Sequence, residues 1–307
     1  MPPPNPTSYH GWLFLDKPFG LSSNSALQKI RHIFNRVKAG HVGTLDPLAS
    51  GVLPIALGEA TKLIPLVEKT EKVYEFEVTW GERRSTDDAE GEVLSVSSAR
   101  PLADRIEKAL PCFVGEVDQV PPLYSAIKVD GRAAYAYARS QQDVILKSRK
   151  VFIKKLTLMK IISQDRALFQ MECGSGVYVR SLARDLAIFL GTEGYVSYLR
   201  RLKVGMFDIQ DCLPFQKILE FHADSKLKEC VHSMDVVLDD IPVVVFAEDI
   251  CDRFYKGQSL SFSIPTLPTS VETIVVCKSV NGLCGLLTYK DGALAPKRMF
   301  NHLNLRR

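Results

Sequence analysis

The chain has 307 residues, of which 46% are hydrophobic and 24% charged. These proportions are ordinary for a soluble globular protein with one large and one small domain, or with two domains. There is no run of about 18 apolar residues, so we expect no transmembrane helix. The net charge of +4 is too small to indicate nucleic-acid binding by itself. The seven cysteines form no Cys-x-x-Cys pair, and the spacing of Cys277 and Cys284 is wrong for a zinc knuckle. This pattern predicts free thiols in a reducing cytoplasm and no structural metal.

The first elements along the chain are a tail and a helix. Residues 1–10 include a proline-rich stretch that lacks an apolar signal region, so we predict a flexible tail on a cytoplasmic protein. Ser23 and Asn24 can cap a helix that runs from about Ser25 to Phe34, because its apolar residues share one face.

The segment that follows, residues 40–53 (GHVGTLDPLASGVL), sets one carboxylate, Asp46, in an apolar turn. Pro47 forces the residue before it out of the α region, and Gly43 and Gly51 permit backbone angles that are closed to other residues. This predicts a shaped loop that holds one acid at a fixed angle. An Asp-Pro pair is also a common turn former, so this pair alone indicates a structural Asp46 more often than a catalytic one.

Two segments have the alternation of half-buried strands, and one has the spacing of an amphipathic helix. Residues 72–80 and 168–173 alternate between apolar and polar side chains. Residues 179–190 carry apolar side chains at i, i+3, i+4 and i+7, and Gly191 can end this helix. Residues 116–140 have little periodicity, which predicts a loop and a short helix. Since no β-α-β rhythm repeats, we predict an α+β fold with a largely antiparallel sheet.

Residues 116–155 form a basic segment that contains eight Lys or Arg residues and four acidic residues. The basic residues are Lys128, Arg132, Arg139, Lys147, Arg149, Lys150, Lys154 and Lys155. A solvated face and a phosphate-contacting surface explain this charge equally well on composition alone.

The last part of the chain predicts a separate β-rich unit. Short β-like runs begin at Val243, Leu260, Thr273 and Leu283, and Asn281-Gly282 is a good hairpin turn. A boundary near residues 234–241 precedes them. We therefore predict a tail over residues 1–10, a first domain over 11–236 and a small β-rich domain over 237–307.

The Asp46 segment resembles the signature G-T-L-D-P-x-A-x-G-x-L of the TruB-type pseudouridine synthases. Further segments resemble other motifs of this family in the family's order, and these are Leu15–Ser23, Gly58–Lys62, Lys72–Tyr74, Gln119–Lys128, Cys173–Leu182 and Leu199–Arg201. Together they are far more specific than any single motif. The resemblance implies a pseudouridine-synthase-like mixed sheet flanked by helices. It also implies a PUA-like C-terminal domain, to which residues 237–307 are only loosely similar.

By this resemblance, Asp46 is the essential catalytic group. It could attack C1′ or C6 of a uridine or remove a proton, and the sequence leaves these alternatives open. Arg180 is implied as the cation that keeps Asp46 ionised, although Asp185 and Glu172 are equally available partners for Arg180.

The resemblance also implies an aromatic and apolar pocket for a uridine that is flipped out of its stem-loop. Tyr74 would stack on the base and accept a proton late in the reaction, Tyr178 would pack as a ring, and Leu199 would line the pocket. Tyr74 lies on the apolar face of its predicted strand, so it is also compatible with an ordinary core position, and Tyr178 has the same ambiguity.

A set of mostly basic side chains is implied to contact RNA, which proteins recognise largely by shape and splayed loop bases. The set is His41, Lys17, Lys62, Asp88, Lys128, Arg139, Arg149, Arg200, Arg201 and Lys203. The chain departs from the family pattern at Ser85, Ser175, Val177 and Gln141. These departures concern RNA contacts and rate, and they leave the Asp46 segment unchanged.

The resemblance therefore implies a monomeric, cofactor-free and metal-free enzyme that isomerises one uridine to pseudouridine in the T-loop of tRNA, at position 55. We expect the T-arm stem-loop as its partner, with no membrane and no obligate protein partner. Three alternatives remain open, which are an RNA chaperone that folds tRNA without catalysis, a synthase for another RNA, and a guide-RNA-dependent synthase. The last is disfavoured because the chain lacks lysine-rich tails.

Overall fold

The computed structural model describes residues 9–125, 127–140, 142 and 144–301, so most of the predicted tail lies outside the described residues. The strands are β1 (Gly11–Lys17), β2 (Ala39–His41), β3 (Ala49–Leu57), β4 (Lys72–Trp80), β5 (Glu82–Arg84), β6 (Val93–Val96), β7 (Gly115–Gln119), β8 (Lys128–Val129), β9 (Arg132–Ala133), β10 (Arg149–Ser163), β11 (Arg166–Cys173), β12 (Gly194–Val204), β13 (Phe207–Asp208), β14 (Leu213–Pro214), β15 (Val243–Val245), β16 (Leu260–Ser261), β17 (Thr273–Ser279), β18 (Gly282–Lys290) and β19 (Ala293–Met299). The α-helices are α1 (Ser23–Ile33), α2 (Ile64–Glu68), α3 (Ala103–Ala109), α4 (Ala134–Arg139), α5 (Val179–Phe189), α6 (Phe215–Ala223) and α7 (Glu248–Tyr255). Over these ranges, every helix is too short or too polar to cross a bilayer.

Ten strands form one mixed sheet. Its main path runs β14-β1-β3-β12-β4-β11-β10-β7, while β2 pairs with β3 and β13 pairs with β12. Only the β1–β14 and β3–β12 pairings are parallel. Helix α1 packs its apolar face on β1 and β3, and α5 packs on β4, β11 and β12. The predicted α+β fold with a mixed, largely antiparallel sheet and flanking helices is therefore confirmed.

The alternation read from the sequence sets the core of this sheet. Strand β4 covers the predicted range, and Tyr74, Phe76, Val78 and Trp80 are buried on one side of it. Strand β11 begins two residues before the predicted start at Leu168. Helix α5 ends one residue before the predicted end, with a C-terminal cap that precedes Gly191. A repeated apolar period is thus sufficient to locate these elements, because each buries one face.

Two local predictions in the first half of the chain were wrong. Helix α1 begins at Ser23, and its N-cap is Ser22, whose hydroxyl accepts a hydrogen bond from the backbone N–H of Ser25 at 3.1 Å. The predicted cap Ser23 is buried and bonds elsewhere. Strand β7 (Gly115–Gln119) lies where we predicted a loop, because pairing with β10 supplies the order that its weak sequence pattern does not show.

The C-terminal strands β15 to β19 form a second, five-stranded sheet in the order β15-β17-β18-β19-β16. The four predicted strands are present, but helix α7 and strand β19 were missed. The hairpin turns at Val280-Asn281, one residue before the predicted turn, because Gly282 already pairs with Ser279 at the start of β18. The predicted boundary after residue 236 falls inside a short 3-10 helix, Met234–Val237, and stays a prediction.

The second sheet has two buried faces. Val276 and Leu286 on one face share an apolar cluster with Trp12 and Phe14 of β1, and Phe300 completes this contact. The other face packs against α7. Polar contacts reinforce the first interface, since Lys62 Nζ donates to the Met299 carbonyl at 2.8 Å. The C-terminal sheet therefore shares an apolar core with the ten-stranded sheet.

Replacing Gly51 with Ala should weaken the parallel join between β3 and β12. Gly51 has φ +101°, and a Cβ there would lie 2.2 Å from the Arg201 carbonyl oxygen. Because backbone strain adds to overpacking, we expect the free energy of unfolding to fall by about 2–4 kcal/mol, measured by urea denaturation.

The matched control is Gly191→Ala. Gly191 has φ +77° but open space around the added Cβ. Only the strain of the left-handed backbone should therefore lower the free energy of unfolding, by about 1 kcal/mol. Equal losses for the two variants would show that the close approach to Arg201 does not limit this position.

Candidate active site

The Asp46 turn connects β2 to β3 and is held by helix α1 and the loop before it. The Ser23 hydroxyl bonds both backbone groups of Leu45, at 2.7 and 2.9 Å. The Gly20 N–H donates to the Pro47 carbonyl at 2.8 Å, and the turn closes with the Ala49 N–H on the Asp46 carbonyl at 3.1 Å. The residues on both sides of Asp46 are therefore fixed by Gly20 and Ser23, which belong to the Leu15–Ser23 segment.

Arg201 supports the same turn through hydrogen bonds and is only 1% exposed. Its Nε donates to the Val52 carbonyl at 2.8 Å, and one terminal nitrogen lies 3.0 Å from the Gly43 carbonyl and 3.3 Å from that of Val42. Gly43 has φ +64°, and a Cβ there would come within 2.9 Å of the guanidinium. A glycine is required here because the turn lies directly on the arginine.

Asp46 contacts Arg180 through both carboxylate oxygens. The Nε of Arg180 lies 2.9 Å from Oδ2, and a terminal nitrogen donates to Oδ1 at 3.1 Å. The Asp46 side chain is 32% exposed and that of Arg180 only 4%. A second carboxylate, Asp88, lies 3.6 Å from the same Nε and is buried. One edge of Asp46 thus faces the guanidinium while part of its surface stays open to a substrate.

Arg180 is itself oriented by two backbone carbonyls. It donates to the Thr86 carbonyl at 2.8 Å and to the Tyr124 carbonyl at 2.9 Å. The alternative partners considered from sequence contact other groups, since Asp185 pairs with Arg184 at 2.9 Å and Glu172 lies 3.9 Å from Lys154. Arg180 at the start of α5 therefore serves Asp46 and Asp88, and buried guanidinium groups of this kind are rarely unpaired.

Burial and charge act in opposite directions on the Asp46 carboxyl group. Burial raises its pKa, the Arg180 guanidinium lowers it, Asp88 raises it, and Lys17 lowers it. Lys17 is fully buried, and its Nζ donates to the Pro18 and Leu21 carbonyls at 3.0 and 2.5 Å. Burial lowers the pKa of Lys17 to about 8, against the attraction of Asp46. The site therefore holds Asp46 between a desolvating pocket and two cations.

Tyr74 and Leu199 back the turn on its apolar side. They are 8% and 5% exposed and share one buried cluster with Leu45 and Leu48. Burial raises the pKa of Tyr74, and the positive charge of Arg201 opposes this rise. Both residues are brought close to Asp46 by the pairing of β12 with β3 and β4.

Tyr178 caps the start of α5 and is held by Gln119. The Gln119 amide exchanges two hydrogen bonds with the Tyr178 backbone, at 2.8 and 3.1 Å. The Arg149 guanidinium lies over the Tyr178 ring, 5.0 Å from its centroid. Gln119 holds the Tyr178 backbone and Ser23 holds the Leu45 backbone, yet sequence periodicity marks neither residue. The sequence signal that points to them is their position in two segments that resemble family motifs, Gln119–Lys128 and Leu15–Ser23.

The remaining residues of the predicted RNA-contact set lie in different environments. Arg200 pairs with Asp16 at 2.7 Å, Lys62 pairs with Glu59 at 2.7 Å, and His41 is half-buried in β2. Lys128 and Lys203 are exposed. Arg139 lies in α4, and its side chain is outside what the structure describes. The set therefore divides into inner residues around the turn (Lys17, Asp88, Arg201), partly covered ones (His41, Lys62, Arg149, Arg200) and outer ones (Lys128, Lys203).

A carboxylate with one open edge, a paired guanidinium and an apolar, aromatic floor can attack or deprotonate a sugar or base. It suits a reaction that needs an anion in a dry pocket. In the part of the chain that the structure describes, the cluster of side chains suited to a metal ion lies in the C-terminal sheet. This arrangement on a mixed sheet flanked by helices agrees with the site that the sequence resemblance implied for a pseudouridine synthase.

Comparison with known proteins identifies the family. Residues 31–179 match the family model described as "TruB family pseudouridylate synthase (N terminal domain)", and residues 180–239 match that of the "tRNA pseudouridylate synthase B C-terminal domain". The chain therefore belongs to the TruB family of pseudouridylate synthases.

Relatives of this family match nearly the whole chain. The "tRNA pseudouridine synthase B" of Bradyrhizobium diazoefficiens is 43% identical over 95% of this chain and 86% of its own length. That of Caulobacter vibrioides is 42% identical over 94% of this chain and 96% of its own. The solved "Cbf5-Nop10-Gar1 Complex" contains a chain that is 22% identical, with a TM-score of 0.71 over 95% of this chain and 85% of that one. This structural likeness concerns the fold alone.

Neutralising Arg180 should shift the pH dependence of pseudouridine formation. Activity that requires the Asp46 carboxylate is lost as the pH falls through its pKa, which burial already raises. Because Arg180 opposes that rise, Arg180→Gln should move the acidic limb of the rate profile to higher pH, and Arg180→Lys should move it less. Single-turnover rates at saturating RNA measure this.

The control is Arg184→Gln on the same helix, which removes a guanidinium that pairs with Asp87 at 2.8 Å. The acidic limb of the pH–rate profile of Arg184→Gln should stay at the wild-type pH. An unchanged limb in Arg180→Gln would contradict the pairing inferred for Asp46.

Arg201→Lys should slow the chemical step without weakening RNA binding. A lysine keeps the charge but cannot reach the three carbonyls that Arg201 contacts, so the turn loosens. We expect the single-turnover rate to fall roughly tenfold to a hundredfold, as for a misplaced catalytic group.

RNA affinity across a salt series separates this role from the contact implied by sequence. A buried supporting residue leaves the slope of log affinity against log salt unchanged, whereas loss of a phosphate contact reduces it by about 1. Lys203→Ala, an exposed change on the same strand, is the comparison. A slope reduced by about 1 in Arg201→Gln, which removes the charge, would assign Arg201 to RNA.

Proposed function

We propose that this protein isomerises a uridine to pseudouridine in the T-loop of tRNA, at position 55, with Asp46 as the essential group. The observation that carries the proposal is the Asp46–Arg180 contact, in which an anion with one open edge is held inside an apolar pocket. Membership of the TruB family and relatives named tRNA pseudouridine synthase B support uridine in tRNA as the substrate.

The reaction breaks the bond between N1 and C1′, turns the base, and joins C1′ to C5. The C5 proton then leaves and N1 takes up a proton, so atoms and electrons balance within the nucleotide. Asp46 could attack C1′, attack C6 or remove the C2′ proton, and each route needs an ionised carboxylate. Arg180 and Lys17 favour that form against burial.

The pocket has to accept a base that leaves its stack. Flipping costs a few kcal/mol, which stacking on an aromatic ring and phosphate contacts offset. Tyr74 supplies the ring next to the turn, and it is buried in the same apolar cluster as Leu45 and Leu48. Leu199 closes the apolar wall and limits access of water to the detached base.

RNA contacts fall to the outer side chains. Lys128 and Lys203 are exposed, and Arg149 presents its guanidinium over the Tyr178 ring at the edge of the site. The inner residues Lys17, Asp88 and Arg201 act on the turn and on Arg180. This division makes the exposed basic residues the electrostatic footprint for the T-arm stem-loop.

The organisation predicted from sequence forms part of this proposal. Residues 11–236 form the catalytic unit and residues 237–307 the PUA-like unit, in a monomer that works in the cytoplasm without cofactor or obligate protein partner. The apolar contact of Val276 and Leu286 with Trp12 keeps the two units together on one RNA.

Asp46→Asn should abolish pseudouridine formation in an unmodified tRNA transcript, because an amide can neither attack nor take a proton. We expect a loss of at least about a thousandfold in single-turnover rate, as for removal of an essential group. Release of tritium from uridine labelled at C5 gives the rate, and mass mapping gives the position. Asp104→Asn, at the exposed start of α3, should keep wild-type activity.

A transcript with cytidine at position 55 should gain no pseudouridine in the T-loop. Product at another uridine would leave the reaction intact and overturn the position. Full activity of Asp46→Asn would overturn the catalytic assignment. A tRNA-folding assay with Asp46→Asn tests the chaperone alternative, which does not need this acid.

A further inference from the structure

Three buried cysteines come together in the C-terminal sheet, remote in sequence from the Asp46 turn. Cys251 lies on α7, Cys277 on β17 and Cys284 on β18. They are 1%, 0% and 0% exposed. We call them the three-cysteine cluster. The active site and the proposed function make no use of them.

The sulfur atoms of this cluster converge. All three Sγ atoms lie within 4.8 Å of one another, and those of Cys251 and Cys277 are 3.9 Å apart. Cys277 and Cys284 reach the same face of the sheet because the pairing of β17 with β18 is irregular just after Cys277. Cys251 reaches that face from the first turn of α7. Three separate elements therefore aim one sulfur each at a common point.

These separations suit coordination of one ion. Metal–thiolate bonds of about 2.3 Å place sulfurs about 3.8–4.0 Å apart around a tetrahedral or trigonal centre. The cluster therefore needs a contraction of less than about 1 Å, which side-chain rotation can supply. Thiolates favour soft ions such as Cu(I) and Zn(II) over Mg²⁺ or Ca²⁺.

The surroundings favour a bound cation over free thiolates. Phe246, Phe254 and Leu287 belong to the same apolar cluster, so water does not solvate a negative charge there. A free thiolate would be costly in this dry site, and a bound cation would compensate its charge.

We propose that Cys251, Cys277 and Cys284 bind one thiophilic d10 metal ion, Zn(II) or Cu(I), between α7 and the C-terminal sheet. Each sulfur that bonds to the ion gives up its proton, if it still carries one, to solvent. The ion would join the helix to both strands of the β17–β18 hairpin, and so stabilise the sheet that packs on Trp12 and Phe14.

The test uses the full chain, reduced and without oxygen, exposed separately to Zn(II) and to Cu(I). We expect one of the two ions to bind with a stoichiometry of one per chain. High-resolution native mass spectrometry should show the metal mass less the displaced protons, and up to three thiol protons should be lost. Thermal unfolding of the loaded protein should occur at a higher temperature, and a chelator should reverse the shift.

Variants locate the site. Cys277→Ser and Cys251→Ala should each abolish stoichiometric binding. Cys112→Ala, an exposed change, and Cys230→Ala, a buried change in the cluster around β1 and α1, should retain it. If a cluster variant does not fold, two measurements on the wild-type protein still test metal binding by thiolates. These are thiolate-to-copper charge-transfer absorption and the count of displaced protons.

Uptake of neither ion by the wild-type chain overturns the proposal and leaves the cluster as apolar packing. Binding that survives Cys277→Ser in a folded variant, or that is lost in Cys112→Ala, overturns the assignment of the ligands. None of these readouts depends on pseudouridine formation, so their failure is distinguishable from failure of the proposed function.

Discussion

The rest of the site depends on the pairing of Asp46 with Arg180. A carboxylate in an apolar pocket tends to take up a proton, because burial penalises its charge. Arg180 opposes this at 2.9 Å from the carboxylate, and it can do so only because the Thr86 and Tyr124 carbonyls fix its orientation. Asp88 shares the same guanidinium and limits how far Arg180 can lower the pKa of Asp46. The chemistry of the site is therefore a balance among four charged groups, Lys17 included.

The sheet makes this pairing possible by bringing distant segments together. The parallel join of β3 and β12 places Arg201 beneath the turn that carries Asp46. The turn is then held from two directions, by Ser23 of α1 on one side and by Arg201 on the other. A rigid carboxylate needs this double support, since a small displacement of a catalytic group costs much of the rate.

The two faces of the C-terminal sheet pack against different parts of the molecule. One face completes the core of the catalytic half, through Val276 and Leu286 against Trp12. The other carries the three-cysteine cluster beneath α7. A link at the second face would stiffen the sheet that the first face uses, so the two halves of the molecule are coupled through a single layer of strands.

The sequence by itself determined the elements with a clear period and the location of the Asp46 turn. Strand β4 and helix α5 follow from local alternation, and the Asp46 turn follows from a motif whose residues are contiguous. Only the tertiary structure determined the surroundings of Arg201, Asp88 and Lys17, which the resemblance implied as RNA contacts and which are buried around the turn. The three cysteines show the same limit, because their spacing along the chain has no metal-binding pattern. Periodicity reports which face of an element is buried, whereas the partner that a buried charge or thiol meets depends on strand register and on contacts between residues far apart in the chain.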